Sequence, residues 1–160
     1  MTSKIIALLL LMAPLKGDVP EKMYSRQFNE LGILTSEGWL MGGMMIHYWK
    51  FYHPNGNIAS EGHFTTNDKS GYWYFYDREG NLKKEGHYSK GTAENWWIFY
   101  DLVRQEKRKV QLQKNQKNGL CLVYKDRQLI KVEKYKADQK QGEWSSLRSF
   151  KRDNPKATLY

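Results

Sequence analysis

A 24-residue period runs through this chain and limits what it can fold into. Trp49, Trp73 and Trp97 lie 24 residues apart, and so do Tyr52, Tyr76, Tyr100 and Tyr124. Other landmarks keep the same offset: Phe28, Gly32, Glu37 and Gly38 in the first unit, Tyr52, Gly56, Glu61 and Gly62 in the second, Tyr76, Gly80, Glu85 and Gly86 in the third. Such self-similarity marks an array in which each unit buries its apolar face against its neighbours. An enzyme site, by contrast, uses different residues in different roles and breaks symmetry. The fourth unit keeps Trp97 and Tyr100 but has Arg104, Lys109 and Val110 at the other positions. The fifth keeps Tyr124 and has lost one residue, because Leu129, Tyr135 and Gly142 each stand one place early relative to Leu82, Tyr88 and Gly71. Decay toward an end is the behaviour of capping repeats.

Within a unit, Trp73-Tyr74-Phe75-Tyr76 is an aromatic run with strand propensity, and Leu82 to Tyr88 is a second strand of mixed polarity. Asp77-Arg78-Glu79-Gly80 separates them, matched one unit earlier by His53-Pro54-Asn55-Gly56. Proline presets φ at the second position of a type I turn and glycine accepts a positive φ at its end, so Gly56 and Gly80 close tight hairpin loops. Period-2 alternation sends Trp49 and Phe51, Trp73 and Phe75, Trp97 and Phe99, then Cys121 and Val123 to one face. Tyr48, Tyr52, Tyr72, Tyr74, Tyr76 and Tyr100 point to the other. Glycine inside a strand weakens it unless something must approach the backbone, so Gly62 and Gly86 are expected to lie beneath a neighbouring Trp ring. The predicted fold is all-β, an elongated antiparallel sheet of stacked hairpins. Its repeated structural positions are Trp49, Trp73, Trp97, Gly56, Gly80, Glu61, Glu85, Gly62 and Gly86.

The pattern G-x-W-x-F-Y followed by x-x-x-G-x-x-x-x-E-G-x-Y, seen from Gly71 to Tyr88, resembles the bacterial MORN-repeat variant of antitoxin-like proteins. The resemblance extends from about Phe28 to about Trp144. It implies an open sheet of stacked hairpins serving as a scaffold or binding surface, with protein or phospholipid partners, and it carries no catalytic residues.

The first seventeen residues are of another kind. Lys4 precedes an apolar run from Ile5 to Leu15, which Lys16-Gly17 closes. A positive start and an h-region of this length have the form of a secretory signal, too short for the ~20 residues of a membrane span. The predicted organisation is a signal segment at 1–17, a linker at 18–27, the repeat domain at 28–144 and a basic tail at 145–160. Export to the periplasm or beyond is the expectation; the alternative is a cytoplasmic antitoxin-like interaction module in which residues 1–17 are structural.

Charge is uneven along the chain. Residues 1–100 hold ten Lys or Arg and ten Asp or Glu, whereas 101–160 hold sixteen and seven, so the net +9 lies in the C-terminal part. That end is either a solvated basic surface or a contact for an anionic partner. Arg148, Lys151 and Arg152 are the candidates for anionic lipid, with Trp144 or Phe150 entering the membrane interface. No nucleic-acid motif is present. The lone Cys121 excludes an intramolecular disulfide and falls where the repeat puts a buried aromatic, so it is expected to pack.

Candidate chemistry is sparse. His63 and His87 occupy equivalent places on adjacent hairpins, about 9–10 Å apart by strand spacing, and cannot converge on one metal. Glu61 and Glu85, with Glu37, are alike and read as a repeated structural carboxylate bonded to a loop N–H or a lysine. Neither catalytic nor metal residues are assigned, and no cofactor or small-molecule substrate. The tyrosine face, Tyr48, Tyr52, Tyr72, Tyr74, Tyr76 and Tyr100, is either covered by the chain's own segments or by curling of the sheet, or is a binding surface for a protein or envelope component.

Overall fold

The computed structural model describes residues 19–157. The expected signal segment, 1–17, lies outside them. Among the described residues, eleven strands form one antiparallel sheet in chain order: β1 (Lys22–Phe28), β2 (Leu34–Met41), β3 (Met44–Tyr52), β4 (Ile58–Thr65), β5 (Asp68–Tyr76), β6 (Leu82–Ser89), β7 (Thr92–Asp101), β8 (Glu106–Gln113), β9 (Gln116–Lys125), β10 (Gln128–Lys136) and β11 (Gln139–Trp144), followed by one helix, α1 (Leu147–Asp153). This is the all-β sheet of stacked hairpins that the period predicts. At ~4.8 Å per strand it extends about 48 Å from β1 to β11.

Two kinds of turn alternate at the two ends of the strands. At one end, Gly56 N–H donates to His53 C=O at 2.9 Å and His53 N–H to Asn57 C=O at 2.8 Å, and Asn29 and Asp77 repeat the arrangement. The glycines that close these loops, Gly32, Gly56 and Gly80, have φ of +73°, +86° and +88°. At the other end are two-residue turns with both φ positive: Gly42-Gly43, Thr66-Asn67, Lys90-Gly91, Lys114-Asn115 and Ala137-Asp138. That is the type I′ geometry, whose twist matches the strands it joins. Its second residue also ties hairpins together: Asn67 N–H donates to Met45 C=O at 3.0 Å while Asn67 Oδ1 accepts from Met45 N–H at 2.7 Å. Asn115 does the same with Ala93 and Asp138 with Lys117. The residue lost from the fifth unit is lost in a turn. Tyr76 pairs with Leu82, but Tyr124 pairs with Leu129, and the loop between them is the two-residue turn Asp126-Arg127.

The tryptophans are seated by a bulge. Gly62 pairs with Trp73, yet the next residue, His63, pairs with Ser70, so β5 holds two extra residues opposite β4. The bulge is made by a left-handed residue that recurs with the period: His47, Gly71, Asn95 and Gly119. It frees the His63 carbonyl from the ladder, and the Trp73 indole N–H takes it at 3.0 Å; Trp97 takes His87 C=O at 3.1 Å and Trp49 takes Trp39 C=O at 3.0 Å. Each ring lies flat on the paired glycine, as expected for Gly62 and Gly86, and Gly38 serves Trp49 in the same way. Trp49, Trp73 and Trp97 are buried. Phe51 and Phe75 stack between successive tryptophans, with centroids 6.0–6.2 Å apart, and Phe64 and Tyr88 pack edge-on. Lys69 and Lys84 lie over these rings, at 4.4 Å from Trp73 and 4.7 Å from Phe75. Farther along this face Cys121 is buried with Val110 and Val123, where burial pushes its thiol up to about 11.

Both flanking segments differ from expectation. The predicted linker, 18–27, contains most of β1: Tyr24 pairs with Trp39, and Arg26 lies 3.4 Å from Glu37. The predicted tail, 145–160, contains α1, capped by Ser146, whose Oγ accepts from Ser149 N–H at 3.1 Å. Phe150 is fully buried against Leu120, Leu122 and Val132, with Trp96, Tyr124 and Trp144 around it. The helix therefore closes the C-terminal end of the tyrosine face; residues 158–160 lie outside the described ones.

Candidate interaction face

The six tyrosines of the sequence reading do share one face, but they fall into two rows with different roles. Tyr52, Tyr76 and Tyr100 form the row near the glycine-closed loops. Their hydroxyls donate to Glu37, Glu61 and Glu85 at 2.6, 2.9 and 2.6 Å. The repeated glutamate is thus bonded to a tyrosine of the following strand, and not to a loop N–H or a lysine as expected. Burial first, and then the carboxylate that accepts each proton, raise these three phenols far above the ordinary tyrosine range.

The other row is made of edge-on pairs. Tyr48 packs against His63 at 4.9 Å and 77°, and Tyr72 against His87 at 5.4 Å and 83°. Tyr24 and Trp39 make the same pair at 5.2 Å and 77°, one period earlier. Tyr74 joins this row through Tyr72, 5.1 Å away. Tyr24 and Tyr48 keep 49% and 36% of their surface exposed. Such geometry fixes ring positions, so the row is an aromatic surface ordered before anything binds. The histidines considered as ligands each sit against their own tyrosine. Tyr24, Trp39, His63 and His87 were missing from the expected face, although Tyr24, Tyr48 and Tyr72 are spaced 24 apart.

The phenols give this face a pH signature. Burial, followed by Glu61 or Glu85, pushes Tyr48 and Tyr72 up to about 12, and the glutamate-bonded row is higher. Tyrosine in an unfolded chain titrates near ~10, so above that pH the unfolded state releases protons that the folded state keeps. The stabilisation is complete below about pH 10 and is lost as pH rises through the folded values. Absorbance at 295 nm at pH 11 should accordingly rise much less for the native protein than for the protein in denaturant; coincident titrations would contradict the bonded rows.

The basic candidates lie on α1. Arg148 and Lys151 are exposed, while Arg152 pairs with Asp153 at 2.9 Å. The aromatic partners expected for them are not available to a membrane: Phe150 is fully buried and the Trp144 indole N–H donates to Asp153 at 2.9 Å. Here the burial of Phe150 corrects the reading of this segment as an interfacial anchor.

Two hairpins match a known repeat. Residues 48–65 and 69–90 match the family model of the MORN repeat variant. These segments are β3–β4 and β5–β6, the units in which tryptophan, tyrosine, glutamate and both glycines are all present. Among curated proteins none matches the chain. MORN repeats are generally modules for protein or membrane-lipid interaction and are typically non-enzymatic. In this chain the two matched hairpins present the Tyr48–His63 and Tyr72–His87 pairs on one face and the tryptophan ladder on the other.

Proposed function

We propose that this chain is an exported, non-enzymatic MORN-type module that holds a protein or envelope partner on its tyrosine face. One observation carries the reading: the row Tyr24–Trp39, Tyr48–His63, Tyr72–His87 is an ordered and partly exposed aromatic surface, whereas α1 packs over the same face at β10 and β11. The tryptophan face is the weaker candidate, because its rings are stacked on one another and its lysines lie across them. Tyrosine and tryptophan at a partly exposed surface suit a partner that offers both apolar area and hydrogen-bond groups. An anionic-lipid surface is a lesser alternative that rests on Arg148 and Lys151, without an inserted aromatic.

Export is tested by the N-terminal residue and cell fraction of the protein produced in a bacterial host. A mature chain beginning near Asp18 outside the cytoplasm supports the proposal. An intact Met1 in the cytoplasm overturns export and leaves the cytoplasmic antitoxin-like interaction module as the reading of the same face.

A further inference from the structure

The repeat closes its tyrosines in a fixed way, and the fourth tyrosine of the series, in the fifth unit, is left open. Tyr52, Tyr76 and Tyr100 each donate to the glutamate fifteen residues earlier, on the neighbouring strand. Tyr124 occupies the same place on β9, and the residue fifteen before it, opposite Leu122 as Glu61 is opposite Tyr74, is Lys109. Where three units have a carboxylate at this register position, this unit has a lysine. A second ammonium, Lys107, sits directly opposite Tyr124, with its Nζ 5.2 Å from the ring centroid. Lys109 Nζ lies 4.8 Å from the Trp96 ring centroid. Among the described residues neither lysine makes an ion pair.

Most strand acids of this end fall on the other face. Glu106, Glu133 and Glu143 fall on the tryptophan face, where Arg108, Lys131 and Lys140 hold them. Lys107, Lys109 and Lys134 fall on the tyrosine face, where the register puts no acid of β8–β11, although Glu106 at the start of β8 reaches the edge of a neighbouring cleft. This cleft, of about 360 Å³, opens beside Tyr124 and is lined by Tyr100, Leu102, Lys107, Tyr124 and Arg127. The acids Asp101, Glu106 and Asp126 line it too. Asp101 lies 3.8 Å from Arg104 and Glu106 3.5 Å from Arg108, so two of these three are already paired. Leu102, 59% exposed, lines the cleft as an apolar contact.

We infer that the Tyr124–Lys107–Lys109 cluster is a docking site for a carboxylate side chain of a partner protein, which takes the place of the glutamate this unit lacks. The partner segment is acidic, with an apolar residue next to the carboxylate to meet Leu102 and the tyrosine walls. Hydrogen bonds from one phenol and two ammonium groups to one carboxylate are charge-assisted, and they reproduce a pairing the fold already makes three times. The inference rests on the tyrosine face being an interaction surface and names the chemistry at its basic end.

The test is amide NMR of the ¹⁵N-labelled full chain titrated with the peptide acetyl-Leu-Glu-Leu-Glu-Leu-amide, with the glutamine version as control. Saturable shifts at Lys107, Lys109 and Tyr124, absent around Tyr76 and Glu61 and absent with the glutamine peptide, are expected. Lys109→Glu supplies the missing carboxylate within the chain, so it should leave the fold intact and weaken the peptide about tenfold or more. Tyr124→Phe should weaken it less, since the two lysines remain. No saturable shift, equal shifts with the glutamine peptide, or unaltered binding by Lys109→Glu would each overturn the site. Phosphatidylglycerol vesicles that shift these amides when the peptide does not would also overturn it, by assigning the cations to lipid phosphate. If the cluster fails while the Tyr48–Tyr72 row still contacts a protein, the wider proposal stands without it.

Discussion

Gly62→Ala should lower stability by about 3 kcal/mol, at the upper end of what overpacking one position usually costs. The added Cβ would stand 2.5 Å from Trp73 Cε2 and 2.6 Å from Cγ, well inside van der Waals contact. The ring cannot slide away. Its N–H is held by the His63 carbonyl at 3.0 Å, Phe64 meets it edge-on at 5.1 Å, and Phe51 and Phe75 stack on either side at 6.2 and 6.0 Å. Trp73→Ala alone should cost about 4 kcal/mol, because it removes a fully buried indole and leaves the bulge carbonyl without a donor. With the indole gone, the alanine at 62 meets nothing, so the double variant should be about as stable as Trp73→Ala. Urea unfolding of the four proteins measures that coupling, expected at roughly 2–3 kcal/mol. Additive costs would mean that the glycine is there for some reason other than the ring.

Phe150→Ala is expected to cost about 3–5 kcal/mol and to release α1 from the sheet. A helix of seven residues has no stability of its own in water, and Phe150 is its buried residue, seated on Leu120, Leu122 and Val132. Without that ring the Ser146 cap cannot keep the segment in place, and the leucines beneath it become accessible. Limited proteolysis should then cut within 145–157, with β1–β9 protected. An unchanged cleavage pattern would show that the helix is held by other contacts, such as the Trp144–Asp153 hydrogen bond.

The array was legible because its devices recur. Trp73 and Gly62 are eleven apart in every complete unit, and a glycine inside an aromatic strand weakens it unless a ring or another backbone comes to lie on it. The loops closed by Gly56 and Gly80 announce themselves through proline and glycine. The opposite turns do so less: beyond Gly42-Gly43, their first residues Thr66, Lys90, Lys114 and Ala137 adopt positive φ without being turn-forming types, and the type I′ signal falls to Asn67, Gly91 and Asn115 at the next position. β1 was hidden because it lacks a tryptophan, although Tyr24 is in period with Tyr48. The glutamate–tyrosine bonds run diagonally between strands, so they depend on a register that spacing alone does not set. α1 offers one buried apolar anchor, Phe150, beside the cations Arg148, Lys151 and Arg152, a composition shared with a solvated tail. On the face itself, residue types placed the tyrosines together, but only the register separates the glutamate-bonded row from the row of edge-on pairs.

Whether the tyrosine face is where a partner sits is measured most directly by photo-crosslinking in producing cells. A benzophenone side chain is placed in turn at position 48, at position 72, and at position 84 on the tryptophan face, where Lys84 lies opposite Phe75 and Phe99. Adducts with a common protein from 48 and 72 and none from 84 are the expected result. Adducts from 84 alone, equal adducts from both faces, or lipid adducts without protein would contradict the assignment.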